Sequence, residues 1–276
     1  MLCRYHVLQY NNIERPPLEI DVVLSSGLVM LSQLARSSDK YYGLLGAATT
    51  LGDVRNLLLH PFPAIRSRAC NLLGNMCKHS DVFYRKFACG VSPAHRQPAY
   101  LYQNSSSETI DDGRCDVIFR LVARCGDSDD DTRKFACFAV GNSSFYSGFL
   151  YAKLAISVPI LVSLLSDEGA KTRANAAGAL GNLVRNSGVL CKHLVLHRAP
   201  HELLRLAVHH NAAGAREGQI ALFSLGSLCV YDSCRGALAK LKPSLKPQLE
   251  TFISTCENEL SRKYAVRILR KAGIAC

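Results

Sequence analysis

One seven-residue frame recurs along this chain and limits what it can fold into. Alanine, four residues, glycine and asparagine stand at Ala69–Asn75 (ACNLLGN), Ala136–Asn142 (ACFAVGN) and Ala176–Asn182 (AAGALGN), and Ala221–Ser227 (ALFSLGS) repeats the frame with serine last. Around the third copy, in KTRANAAGALGNLVRN from Lys171 to Asn186, small and apolar residues return at helical spacing. That spacing predicts a helix packed tightly on several sides.

A short apolar helix and a few turn residues are expected before each copy: Leu57–Leu59 before His60–Pro63, Ile118–Val122 before Gly126–Asp131, Ile160–Leu165 before Ser166–Ala170, and Leu203–Val208 before His209–Ala215. The repeating unit is therefore read as helix, turn, helix. Its glycines Gly141, Gly181 and Gly226 lie 40 and 45 residues apart, within the period of roughly 40 to 47 residues of armadillo or HEAT repeats. A single unit of this kind cannot bury its apolar face alone, so the units stack. The predicted fold is an all-α, right-handed superhelical solenoid of about five repeats.

Boundaries follow from the breaks in this pattern. Residues 1–26, with Pro16 and Pro17, are expected to be irregular, and the solenoid to occupy 27–276. An apolar helix is expected from Gly27 to Leu34, and Tyr41–Leu51 reads as a degenerate copy with Ala47 five residues before Gly52. From Gly74 to Gly141 the spacing widens to 67 residues, and the stretch 90–113 turns polar. A loop inserted between repeats accounts for both, since long insertions cost little closure entropy. Beyond Val230, a helix is expected from near Lys242 through Phe252, and a closing helix over Leu260–Ala272 suits a terminal cap.

Composition excludes several classes. The longest strongly apolar run, Leu154–Leu165, contains Pro159 and falls short of the roughly 20 residues a membrane-spanning helix needs. The N-terminus lacks the apolar core of a secretory signal. Twelve cysteines in a chain with its own core pattern read as free thiols of a reducing cytosol, with Cys70, Cys77 and Cys137 acting as small hydrophobes. No C-x-x-C pair occurs, which removes a zinc ribbon or thioredoxin-type site.

Two constellations invite a chemical reading and lose it. In Gly126–Thr132 (GDSDDDT) a calcium loop starting at Asp127 would need glycine and glutamate where Thr132 and Phe138 stand. The aspartates are read instead as partners of a helix N-terminal dipole. His193, His197 and His201 recur every four residues, but Pro200 separates the last from the other two, and a junction of surface histidines is the favoured reading. No H-R-D, D-F-G or A-P-E triplet and no G-x-S-x-G elbow is present, so the expectation is no catalytic residue, no metal and no cofactor.

Two features remain for binding. Asn75, Asn142 and Asn182 hold the same place in successive helices, with Ser227 in the fourth, and stacking would line them along one face. A row of amides can hydrogen-bond an extended peptide backbone, or each can brace the adjacent turn; both readings stand here. The net charge of +11 gathers at two ends, around Arg66, Arg68, Lys78, Arg85 and Lys86, and around Arg262, Lys263, Arg267, Arg270 and Lys271. These ends read as solvated helix faces, with RNA or an acidic filament surface as the alternative partner. Nucleic acid is not the leading expectation.

The run Ala179–Leu183 (ALGNL) resembles the third-helix motif of armadillo repeats, which implies that Asn75, Asn142 and Asn182 match a peptide-binding ladder. The tryptophans of import-type armadillo grooves have no counterpart: Asn71, Phe138 and Gly178 stand at those places, and the chain has no tryptophan. Longer blocks, His60–Tyr84, Asp127–Tyr151 and Lys171–Ala199, resemble the C-terminal armadillo region of Fused-type serine/threonine kinases. That resemblance implies a non-catalytic regulatory arm whose kinase domain would lie far upstream. It further implies a protein or peptide partner, either a kinesin-like protein or the kinase region of the parent, and a cytoplasmic setting in Hedgehog signalling, motile cilia or cytokinesis.

Overall fold

The computed structural model describes residues 19–46, 48–88, 116–209, 215–240 and 242–273, and every regular element among them is helical. Two compact units divide the chain, residues 1–139 and 140–276. In the first unit, α1 (Glu19–Ser37) precedes α2 (Tyr42–Leu45), α3 (Ala48–Leu57), α4 (Pro63–Met76), α5 (Tyr84–Ala88) and α6 (Val117–Arg124). Helix α7 (Asp130–Asn142) carries the division between the units. The second unit continues with α8 (Tyr151–Leu154), α9 (Val158–Ser163) and α10 (Ala170–Asn182). Two more triplets follow: α11 (Cys191–Leu196), α12 (Ala199–His209) and α13 (Arg216–Leu228), then α14 (Asp232–Ala239), α15 (Lys242–Thr255) and α16 (Glu259–Lys271).

The repeat is thus three helices rather than two. The short first helix escaped the sequence pattern because four to eight residues give at most two turns, too few for a period to register. Two boundaries also move. Helix α1 begins at Glu19, so residues 19–26 are helical rather than irregular. Tyr41–Leu51 is not a copy of the recurring frame: it contains α2 and the start of α3. The third-helix counterpart in that place is α1, which packs along α4. Residues 1–18, Ala47 and the polar stretch 90–113 lie outside the described residues.

Pro247 lies inside α15, but three other prolines stand near helix starts, where a missing N–H is tolerated. Pro63 opens α4 and Pro159 stands in the first turn of α9, positions whose amides have no partner within the helix. Pro200 likewise opens α12 rather than ending α11, and the chain turns between those helices at Arg198, whose φ is 59°.

The recurring frame explains how third helices pack. Ala176, Ala177, Ala179 and Leu180 are all but fully buried in α10, and α10 lies along α13. A Cβ on Gly74 would stand 2.5 Å from the Phe138 ring and 3.1 Å from Ala139 Cα. On Gly181 it would meet Ser224 Oγ at 2.5 Å and Ser224 Cα at 3.0 Å. Glycine is kept there because the neighbouring helix occupies the space. At Gly226 the same Cβ meets nothing within 4 Å. Gly181→Ala should therefore destabilise the fold by about 1–3 kcal/mol through overpacking. Gly226→Ala should be neutral or stabilising by about 0.5–1 kcal/mol, because only helix propensity changes. Urea denaturation of the two variants checks this ordering.

The end of a third helix is closed by a tyrosine of its own repeat. Tyr151, the first residue of α8, donates its hydroxyl to Asn182 O at 2.6 Å and accepts from Asn186 N at 3.1 Å. In the first unit Tyr42 donates to Asn75 O at 3.1 Å and accepts from His79 N at 3.2 Å. The last carbonyls of a helix have no partner within it, and a buried hydroxyl supplies one. Removing that hydroxyl in Tyr151→Phe leaves both groups short of a partner and should cost about 1–3 kcal/mol, read from the shift of the thermal or urea midpoint.

Candidate protein-binding groove

The side chains that the sequence marked as a ladder serve first to join helices. Asn182 Nδ2 donates to Gly141 O at 3.0 Å, and Asn75 Nδ2 donates to Ser32 Oγ at 2.8 Å and to Asn71 Oδ1 at 3.2 Å. Asn75 thus reaches a serine of α1, and Asn182 reaches the recurring glycine of the preceding third helix. Lys271 does the same at the end of α16, donating Nζ to Gly226 O at 3.2 Å. Asn75 is buried, with 4% of its surface exposed. Asn142 and Asn182 are half-buried at the ends of α7 and α10.

The fourth copy differs. Ser227 is too short to reach the preceding helix and turns its hydroxyl back to Phe223 O at 3.2 Å. Beside it a cavity of about 400 Å³ opens between the end of α10, α13 and α16. Its apolar lining includes Val184, Leu222 and Phe223, its polar lining Asn186 and Ser227, and Arg185, Tyr264 and Arg267 complete the wall. Phe223 and Tyr264 meet edge to face with centroids 5.6 Å apart, and Phe223 remains 45% exposed. Arg185 lies over the Phe145 ring at 4.1 Å, a cation–π contact that fixes an otherwise mobile side chain. Sequence reading singled out Arg267 and Ser227 but missed Phe223, Tyr264 and Arg185. An aromatic four residues before the asparagine position, read as the absence of tryptophan, was the available signal.

The two basic ends separate. Arg66 is not a surface cation: it is 9% exposed and forms a two-pronged pair with Asp127, Nε to Oδ2 at 2.8 Å and Nη2 to Oδ1 at 2.7 Å. Its remaining nitrogen donates to His60 O and Pro61 O. Charge count alone could not reveal this, because the carboxylate partner lies 61 residues away. Arg68 is half-buried on α4, whereas Arg262, Lys263 and Arg267 are exposed on α16. Arg173 repeats the device of Arg66, holding Asp167 O and Glu168 O and pairing with Glu217 at 2.7 Å.

The aspartate run accordingly divides its work. Asp127 gathers Arg66, Arg124 and the Asp129 N–H, while Asp129 accepts from Thr132 N at 2.8 Å and caps the start of α7. Burial alone would raise the Asp127 carboxyl, but the hydrogen bonds from Arg66 and Asp129 and the charges of Arg66 and Arg124 hold it below its ordinary value. A carboxyl depressed by folding contributes stability that is complete above its unfolded value of about 3.9 and is lost as pH falls through the folded one. Arg66→Ala should cost about 3–5 kcal/mol at neutral pH by stranding a buried carboxylate. Urea midpoints across acidic pH should fall less steeply in Asp127→Asn than in the unaltered chain.

The remaining chemical candidates do not assemble. His193 and His197 pack edge to face at 4.6 Å, and His193 Nε2 lies 3.1 Å from Ala155 O. His201 belongs to α12 and pairs with Glu202. Among the described residues no three metal-ligating side chains converge, and no helix is long and apolar enough to cross a membrane. The eight described cysteines are buried thiols outside any disulfide among the described residues. Burial pushes the Cys229 thiol up to about 11 and raises Cys70 and Cys234 as well, so these thiols are not poised as nucleophiles.

A sequence model of the armadillo/beta-catenin-like repeat matches residues 155–185, which run from the end of α8 through α9 and α10. The fold is the armadillo solenoid. A designed armadillo repeat protein, YIII(Dq)4CqI, superposes with a TM-score of 0.71 at 19% identity, covering 93% of this chain and 95% of that one. Another, YIII(Dq.V1)4CPAF in complex with the peptide (KR)4, gives 0.70 at 19% identity, over 90% and 92%. Among curated proteins the armadillo chain is similar to Fused-type kinases. Serine/threonine-protein kinase TIO of Arabidopsis thaliana is 34% identical over 255 residues, 85% of this chain and 17% of that protein. Serine/threonine-protein kinase 36 of Pongo abelii is 30% identical over 225 residues, 82% and 14%. The chain spans about a sixth of the length of these relatives, and what aligns is the armadillo region and not a kinase domain.

Proposed function

We propose that this armadillo chain is a non-catalytic docking arm, which receives an extended segment of a partner protein across the third helices of its second unit. The observation that carries the reading is the cavity beside Ser227, where the row of bracing side chains is interrupted and Phe223, Tyr264 and Arg267 face outward together. Extended peptides are held in such grooves by side chains that alternate between main-chain hydrogen bonds and pockets. A designed neighbour of the same fold is complexed with a peptide, which supports the mode of binding. The similarity to Fused-type kinases supports a signalling or cytoskeletal role, with a kinesin-like protein or the parent kinase region as the partner, in the cytoplasm or at a cilium.

Capture from a lysate of the source cells tests this, with the chain, a Phe223→Ala/Tyr264→Ala variant and an Asn142→Ala/Asn182→Ala variant used side by side. A kinesin-like protein should be recovered by the unaltered chain and lost with the aromatic pair. Full recovery by the aromatic variant would remove the groove from the reading. Phosphotransfer by the purified chain would overturn its non-catalytic half.

A further inference from the structure

Charge around the cavity says more than its shape. Arg185 and Arg267 line it, and no acidic residue does. Among the described residues no carboxylate forms an ion pair with either. A second cavity of about 380 Å³ shares Arg267 and adds Arg262, Lys263 and Arg270, against the single acid Glu259, which Lys263 already engages at 2.7 Å. The crowding of cations reaches Lys271, whose ammonium is pulled below its ordinary value by burial and by the charges of Arg267, Arg235 and Arg270.

We infer that this end of the groove selects an acidic protein segment, seating an apolar or aromatic side chain against Phe223 and Tyr264 while flanking aspartates or glutamates pair with Arg185 and Arg267. The inference rests on the groove reading above and adds the chemistry of its occupant. Guanidinium groups suit carboxylates because their planar donors match two oxygens at once. Arg185, held over Phe145, loses little freedom in making that pair. The selected charge is opposite to that of the (KR)4 peptide named with the designed neighbour.

A nucleic acid fits these observations less well. A phosphate backbone needs a continuous track of cations. Of the other basic end, Arg66 is consumed by Asp127, and between Arg185 and Arg267 the cavity presents the exposed Phe223 ring rather than a further cation. A single apolar side chain with acidic neighbours suits such a cavity better than a run of phosphates.

Fluorescence anisotropy of the full chain decides the matter with four labelled probes. These are a Glu/Asp-rich peptide with a central phenylalanine, the same peptide with alanine in its place, a lysine counterpart keeping the phenylalanine, and an oligouridylate of matched charge. The acidic phenylalanine peptide should bind tightest. Arg267→Glu and Arg185→Glu should each weaken it by about tenfold or more. Lys192→Glu, an exposed charge reversal on α11, should leave it near the unaltered value. Equal or tighter binding of the lysine peptide or of the RNA would overturn the inference, as would equal affinities for Arg267→Glu and Lys192→Glu. A lysine peptide that binds and is lost in Phe223→Ala would overturn acidic selection while leaving the groove reading intact. If no peptide binds, acidic selection fails, and the groove reading is judged separately by the capture with the aromatic variant.

Discussion

Close contact between successive third helices is the constraint on which the rest depends. Two helices come this near only where one presents no side chain, and Gly181 against Ser224 shows how little room remains. Such an approach buries the last-turn carbonyls of a helix, and buried carbonyls without donors are costly. At Gly141 and Gly226 a donor from the next helix meets the carbonyl, Asn182 and Lys271 respectively, whereas beside the tight approach at Gly181 the hydroxyl of Ser227 turns back to its own helix. The tyrosine hydroxyls at Tyr42 and Tyr151 complete the same accounting at the end of the helix.

This division of labour bears on where a partner can be held. An amide that joins two helices has one N–H fewer to offer a ligand, and at Asn75 the whole side chain is enclosed. The groove proposed here lies where the joining residue is missing. At Ser227 the short hydroxyl leaves a gap between α10 and α16, and the exposed Phe223, the half-buried Tyr264 and the exposed Arg185 and Arg267 surround it. An interruption in the structural repeat thus leaves a cavity where its counterparts are bridged.

Electrostatics follows the same logic of local use. Arg66 and Arg173 stand in the first turn of third helices and are spent on carbonyls and carboxylates that fix the entry of the chain into the helix. In α16 the equivalent residue, Arg262, is exposed, and with Lys263, Arg267 and Arg270 it makes that end cationic. Similar basic residues in the sequence thus become internal clamps at Arg66 and Arg173 and an external charged surface on α16.

Much of this architecture was legible in the residues. The frame of alanine, glycine and asparagine determined that long helices would pack closely at a period near 40, because small residues at helical spacing have no other use in so apolar a chain. The aspartate run before α7 was likewise legible as belonging to the start of that helix. Local pattern could not show the four-residue helix Tyr151–Leu154 or the role of Tyr151, which lies 31 residues from the carbonyl it meets. Nor could it tell the buried Arg66 from the exposed Arg262, or bring Arg185, Phe223 and Arg267 into one cavity. Periodicity along the chain is a local property and can be read from one strand of text. Pairing across repeats depends on which side chains fill, and which leave open, the space between helices, and only the tertiary structure decides that.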